Sequence, residues 1–423
     1  MLPFILFFPI TAFGESSPSF DLAQAKAYFA EAQKLSDRDG NKLWGRPLYG
    51  PLIFIDGNTH SAIANQQDKQ GRFHAKEGAF EGLVEGIDAT NDDVEWAGTH
   101  WTMISWQTIP ENPLDRESLF AHEMYHRIQD DLKLRAPDSV NLHLDSEEGR
   151  IWLLLEWRAL AAALIAHGAA QNQALKDALT FGEHRHQLFP GSRETERNLE
   201  IAEGIAEYTG VAAASPDFVS AKWLSAAKLL NPDLRISFVR AFAYISGPAY
   251  GLLLDERLPG WRKKLSAQSD LGKLLLSTIK SPVNTSLARA AVYGESAIRV
   301  EESDRSDKIA AIKAQYRKLL VDGPKLVLLH TDDTKITFNP SNLISLGGDG
   351  VVYPTLKAIA SWGTLEVEGG ALLPTDRHQI SVSSPTVTSG KHPEGKGWRL
   401  NLNEGWKLTP SATGGDFELR KTN

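Results

Sequence analysis

The chain has 423 residues, 42% hydrophobic and 23% charged, a globular balance that excludes a disordered or collagen-like protein. Its 45 Lys and Arg against 53 Asp and Glu give a net charge of −8, which argues against a protein whose main task is gripping nucleic acid. Cysteine is absent, so disulfides, thiolate zinc sites, cysteine nucleophiles and iron–sulfur clusters are excluded, and any metal site must draw on carboxylates and the 12 His.

Residues Leu2 to Gly14 read LPFILFFPITAFG, a short apolar run with small residues placed for a cut before Glu15. This layout predicts a signal peptide over 1–14 and an exported protein, secreted or in a bacterial periplasm. The run is too short to span a bilayer, and no other stretch is continuously apolar over that length, so no integral membrane segment is expected in the mature chain. Export without cysteine suits a large domain with a good core better than a small disulfide scaffold.

Beyond the leader, Phe20–Ser36 carries Ala, Leu and Phe at helical spacing. From Leu43 to about Gln107, short runs rich in β-branched and aromatic residues are separated by Gly, Asn and Asp, the pattern of strands and turns. From Arg116 to about Leu320 the periodicity is helical, and after Asp322-Gly323-Pro324 it alternates again. The predicted class is α+β: a strand-rich N-terminal part, a mostly helical middle, and a small all-β C-terminal domain of sandwich or barrel type. The expected units are 15–110, 111–322 and 323–423.

The chemistry-bearing motif is His122-Glu123-Met124-Tyr125-His126, an HExxH. On a helix, residues i and i+4 project from one face about a turn apart, so both imidazoles can reach one metal ion. Glu123 then sits beside the open coordination position, where it can take a proton from water and pass it to a leaving amine. Asp115 or Ser118 could cap the start of this helix. Two imidazoles need a third ligand. Glu148, Trp152 and Glu156 fall at i, i+4 and i+8 of a helix apolar nearly all round, which makes Glu148 and Glu156 candidates. Glu156 and Arg158 are more readily read as buried structural partners. Glu183-His184-Arg185-His186 offers a further His pair, but i and i+2 share a face only in extended chain, so a solvated loop is the default.

Glu203-Gly204-Ile205-Ala206-Glu207-Tyr208 resembles the E-G-x-A-x-Y segment of the gluzincin metallopeptidases, the thermolysin and aminopeptidase clan. The resemblance covers about residues 95–260. It implies a zincin-like catalytic domain with one Zn²⁺ held by His122, His126 and Glu203, and with Glu123 as general base. It places Glu203 on a second helix packed against the HExxH helix, with the following glycine allowing close approach. Glu207, one turn on, could accept the spare N–H of a ligand histidine. The separation of His126 from Glu203 is longer than the clan's usual gap.

Two further segments fit the clan. Thr99–Gln107 (THWTMISWQ) alternates just before the HExxH helix, where gluzincins use an edge strand to bind substrate backbone, so Trp101, Met103 or Trp106 could line a cleft. Many members place a Tyr or His downstream that donates to the reaction oxyanion; Tyr244 is the first candidate here and Tyr250 the second. The expected activity is hydrolysis of a peptide or protein substrate by metal-activated water. An endopeptidase is favoured, because the clan's aminopeptidase anchoring motif is not visible upstream of HExxH. The competing readings are a non-enzymatic binding protein on the same scaffold, and a metal hydrolase of non-peptide amides.

Overall fold

Asp21 opens the first helix by accepting from the backbone N–H groups of Ala23 and Gln24, and Gly40, at φ 57°, closes it in a left-handed turn. The structure is a computed structural model that describes residues 21–422 except 88, 138, 234–236, 281–285, 332–333, 340–341, 377 and 412–414. The signal-peptide expectation over 1–14 lies outside the described residues. Helix α1 (Leu22–Asp39) buries Ala25, Phe29, Ala32 and Leu35, the face that its periodicity predicts.

Six strands follow: β1 (Leu52–Ile55), β2 (Ser61–Ala64), β3 (His74–Lys76), β4 (Ala79–Leu83), β5 (Asp92–Trp96) and β6 (Thr99–Ser105). They form one sheet in the order β3-β4-β2-β1-β6-β5. All neighbours are antiparallel except β1 and β6, which run parallel with Leu52 opposite Thr102. Alternation divides the sheet between two cores. Phe54 and Ile104 face the helices, whereas Ile53, Trp101 and Met103 pack with Phe73 and Trp96 on the other face.

The helical middle comprises α2 (Pro113–Gln129), α3 (Glu147–Ile165), α4 (Gly168–Leu188), α5 (Ser192–Leu199), α6 (Ile205–Ala214), α7 (Phe218–Leu230), α8 (Phe238–Arg257), α9 (Leu271–Leu276) and α10 (Glu295–Arg317). A π-helical turn, Glu200–Gly204, joins α5 to α6. The cap of α2 is Asn112, which accepts from Leu114 and Asp115 N–H ahead of Pro113; Asp115, expected as the cap, lies in the first turn, and Ser118 lies inside the helix. Helix α3 is buried nearly all round, as its composition predicts.

From Lys325 the chain is β. One seven-stranded sheet is built around Lys325–Leu329 and Gln379–Ser383, and a six-stranded sheet around Leu356–Ala360, Gly363–Val367 and Trp398–Leu402. Both sheets are open, and their facing residues, among them Leu328, Ile380, Ala358, Leu365 and Leu400, share one core, which makes the pair a sandwich rather than a barrel. Val239 of α8 is fully buried in that same core, so the sandwich grips the start of α8.

Two glycine contacts set the packing around the later site. A Cβ on Gly247 of α8 would lie 2.2 Å from Gly204 O, and one on Gly210 of α6 would lie 2.7 Å from Ser118 O of α2. The sequence expectation gave Gly204 the role of admitting the HExxH helix. Gly204 instead faces α8, and Gly210 is the residue that lets α6 approach α2. Gly247→Ala is expected to destabilise the protein by about 1–3 kcal/mol through overpacking, read as a shift in denaturant midpoint at unchanged slope.

Candidate metal centre

Helix α2 carries His122, Glu123 and His126 into the interior, where they are 5%, 5% and 8% exposed. The Nε2 atoms of the two histidines are 3.1 Å apart. Glu203, in the π-helical turn, brings its Oε2 to 3.7 Å from His122 Nε2 and 3.5 Å from His126 Nε2. Donors bound tetrahedrally to zinc at 2.0–2.1 Å are about 3.4 Å from one another. The three edges fall around that value, so the cluster has the spacing of a metal site.

The tautomers are fixed from outside. His122 Nδ1 donates to Glu207 Oε2 at 3.1 Å, and Lys228 Nζ in turn donates to Glu207 Oε1 at 3.1 Å. His126 Nδ1 donates to Gln129 Oε1 at 3.0 Å. The Gln129 amide nitrogen donates to the carbonyls of Leu134, Ile201 and Ala202, which turns its oxygen toward His126. With both Nδ1 atoms committed as donors, both neutral rings point an Nε2 lone pair at the Glu203 carboxylate. Three facing lone pairs repel unless a cation lies between them. This buried cluster of His122, His126 and Glu203 can bind a metal ion.

The electrostatics agree. Against the effect of burial, hydrogen bonds to Glu203 and Glu207 hold His122 well above 6.5, and His126 is raised the same way by Glu203. Burial would lift Glu203, but His122 and His126 hold it well below the usual carboxylate range. Without a metal, the site retains a proton in its place. Protons and metal therefore compete, and metal affinity is expected to weaken as pH falls from 8 to 6, measured by competitive titration at both values.

Glu123 is different. Its Oε2 is buried with no hydrogen-bond partner, and burial pushes the carboxyl up to about 7. Tyr244 of α8 stacks parallel on His122, with centroids 5.6 Å apart, and donates its hydroxyl to Glu203 Oε2 at 2.7 Å. Burial, then the Glu203 charge, hold this phenol well above 10, so it stays a donor. One turn earlier, Arg240 Nη2 lies 3.5 Å from Glu203 Oε1. Glu123, Glu203 and Tyr244 line a cavity of about 840 Å³ bounded by α2, α8, the residues leading into β5, and Phe338 of the C-terminal sandwich.

Several sequence expectations fall elsewhere. Trp101 and Met103 are 0% and 2% exposed in the far-side core of the sheet, where Trp101 donates to Trp96 O; neither lines the cavity. Strand β6 is interior, paired on both sides, so β5 is the edge strand beside the site. Trp106 packs against Tyr28 and Phe54 instead, and Ser105 and Thr108 reach the cavity in its place. Tyr250 donates to Glu156 at 2.6 Å in a separate network.

The rival ligands belong to other interactions. Glu148 accepts from Trp152 Nε1 and pairs with Arg299. Glu156 pairs at 2.6 Å with Arg185, which also pairs with Glu196 at 2.7 Å. Its partner is therefore Arg185 rather than Arg158, which donates to Tyr293 O. The segment Glu183–His186, expected as a loop, forms the last turns of α4, with Arg185 buried and His186 bonded to Glu196. Glu156→Ala is expected to cost about 1–3 kcal/mol in stability by leaving one Arg185 N–H and the Tyr250 hydroxyl without their acceptor, while leaving metal stoichiometry unchanged; thermal denaturation and metal analysis check the two halves.

Gln129, Arg240 and Lys228 were not anticipated from sequence. Gln129 stands at i+3 from His126 and Arg240 at i−4 from Tyr244, so helix spacing pointed to both. Lys228 carried no such mark. No helix among the described residues is long and apolar enough to cross a membrane. Comparison of the chain with protein-family models, with curated proteins and with solved structures gives no match.

Proposed function

We propose that this protein is a zinc-dependent peptidase, exported from the cell, that cleaves an extended peptide chain. The observation that carries the reading is the conjunction of two features. A triangle of metal-ligand donors has tetrahedral edges, and beside it the Glu123 carboxyl has a buried oxygen left unpartnered. A site that only stored a metal would have no use for that carboxylate.

When bound, the zinc would supply a Lewis acid that polarises the scissile carbonyl and acidifies the attacking water. The protein's own groups account for the remaining steps. Glu123, poised near neutrality, takes the proton of the attacking water and returns it to the departing amine. Tyr244 lines the cavity on the side of Glu203, where its hydroxyl can donate toward the negative charge that develops on the carbonyl oxygen, while Arg240 lies against the other Glu203 oxygen. Strand β5 pairs only with β6, so its other edge is free among the described strands to align a substrate backbone.

The choice of peptide over a small amide rests on the shape of the cavity. Its lining runs along α2 from Asp115 to His126. At 1.5 Å per residue that is about 16 Å, room for about five extended residues. Export rests on the Leu2–Gly14 run alone. The test is proteolysis of an unstructured protein by the purified chain. Cleavage should vanish with a chelator and return with stoichiometric zinc; zinc-loaded protein that cuts no peptide bond would contradict the reading.

A further inference from the structure

The cavity is lined by five carboxylates and one lysine: Asp92, Asp115, Glu123, Glu203, Glu207 and Lys228. Its cations are already committed. Lys228 pairs with Glu207, and the metal position faces Glu203, which Arg240 also approaches from outside the lining. Asp92 and Asp115 have no ion pair with any described residue. Asp92 accepts only the backbone N–H of Asp93, and neighbouring Asp93 takes Arg135 and His100 for itself.

The placement of the two aspartates is not symmetric. Asp92 begins β5, and its charge acts directly on Glu123. Asp115 lies two turns before His122 on the same face of α2, about 10 Å along the axis. A chain laid along the β5 edge would therefore pass Asp92 beside the reacting carbonyl and Asp115 further out. Inside the same cavity, Glu123 is 5% exposed with an unpartnered oxygen. The pocket is thus built to receive a ligand, and its unspent charge is negative.

Resting on the peptidase reading above, we propose that the cleft selects substrates carrying a cation near the scissile bond, with Asp92 and Asp115 as the specificity-determining residues. The cation is an ammonium or guanidinium, supplied either by a Lys or Arg side chain or by a free amino terminus. A cation there forms charge-assisted hydrogen bonds with two solvent-facing carboxylates that have no ion pair among the described residues.

The test uses zinc-loaded full chain and one quenched peptide framework. Three N-acetylated versions carry Lys, Gln or Glu beside the cut, and a fourth carries Gln with a free amino terminus. The expected result is at least about tenfold higher kcat/KM for the Lys peptide than for the Glu peptide, with Gln between, and a ratio that shrinks as salt is raised. Asp92→Asn combined with Asp115→Asn should bring the Lys-to-Glu ratio close to one. A free-amine peptide cut faster than the acetylated Lys peptide would assign the cation to the amino terminus and still support the proposal. Equal rates on all four peptides would overturn the charge selection and leave the peptidase reading standing. No cleavage of any peptide would overturn the peptidase reading, and this inference with it.

Discussion

Glu203→Ala is expected to weaken zinc binding by well over 100-fold. Loss of a group that merely orients a ligand costs about 10–100-fold in metal affinity, and Glu203 supplies one corner of the donor triangle itself. The substitution also removes the acceptor of the Tyr244 hydroxyl and the carboxylate that Arg240 lies against. Competition against a chromophoric chelator gives the affinity. Glu207→Gln provides the scale: it keeps an acceptor for His122 Nδ1 and should lose about 10–100-fold at most. Tight binding retained in Glu203→Ala and lost in Glu156→Ala would move the metal to the Arg185 network and refute the proposed ligand set.

Glu123→Gln should behave in the opposite way. Metal content stays at one ion per chain, because Glu123 contributes no edge to the triangle. Peptide hydrolysis falls by about 10²–10⁴-fold, the range for losing a general base, since a carboxamide of the same shape cannot take up the proton. Folding should not suffer. The carboxyl is held near 7 by burial, so above that pH the native state holds an ionised, unpartnered group, and stability drops as pH rises from 4.5 through about 7. The amide removes that loss, so the metal-free variant should melt no lower than metal-free wild type at pH 8. Residual activity within tenfold of wild type would remove Glu123 from the chemistry.

Local spacing made part of this site legible in the sequence. His122 and His126 follow from the period of one helix, with Glu123 beside the first, and the structure shows all three buried. Glu203 was reachable only by resemblance, because its approach depends on a π-helical turn and on two glycine contacts between elements far apart in the chain. Such contacts leave no periodic trace. The residues that orient the histidines show the same divide. Gln129 shares a helix face with His126 and could have been found, whereas Lys228 arrives from another helix.

The misplacements have physical causes. Alternation in Thr99–Gln107 correctly implied two faces, but which face meets the cleft depends on strand order, and the parallel pairing with β1 buries Trp101 and Met103 away from it. Glu183–His186 reads as a solvated loop because its two histidines, at i and i+2, share a face only in extended chain, a spacing that is silent about Arg185 between them. Here Arg185 is paired twice inside the helical core. The class of the fold, α+β with a terminal β unit, was legible from the switch between the two hydrophobic periods. The choice of sandwich over barrel was not, since it depends on long-range pairing.

The most direct measurement is an anomalous difference map from crystals of the purified, zinc-loaded protein, collected on both sides of the zinc absorption edge. The account predicts a single strong peak within about 2.0–2.2 Å of His122 Nε2, His126 Nε2 and a Glu203 oxygen, with Glu123 close by but unbound. No peak at that point, or one held by other residues, would contradict it.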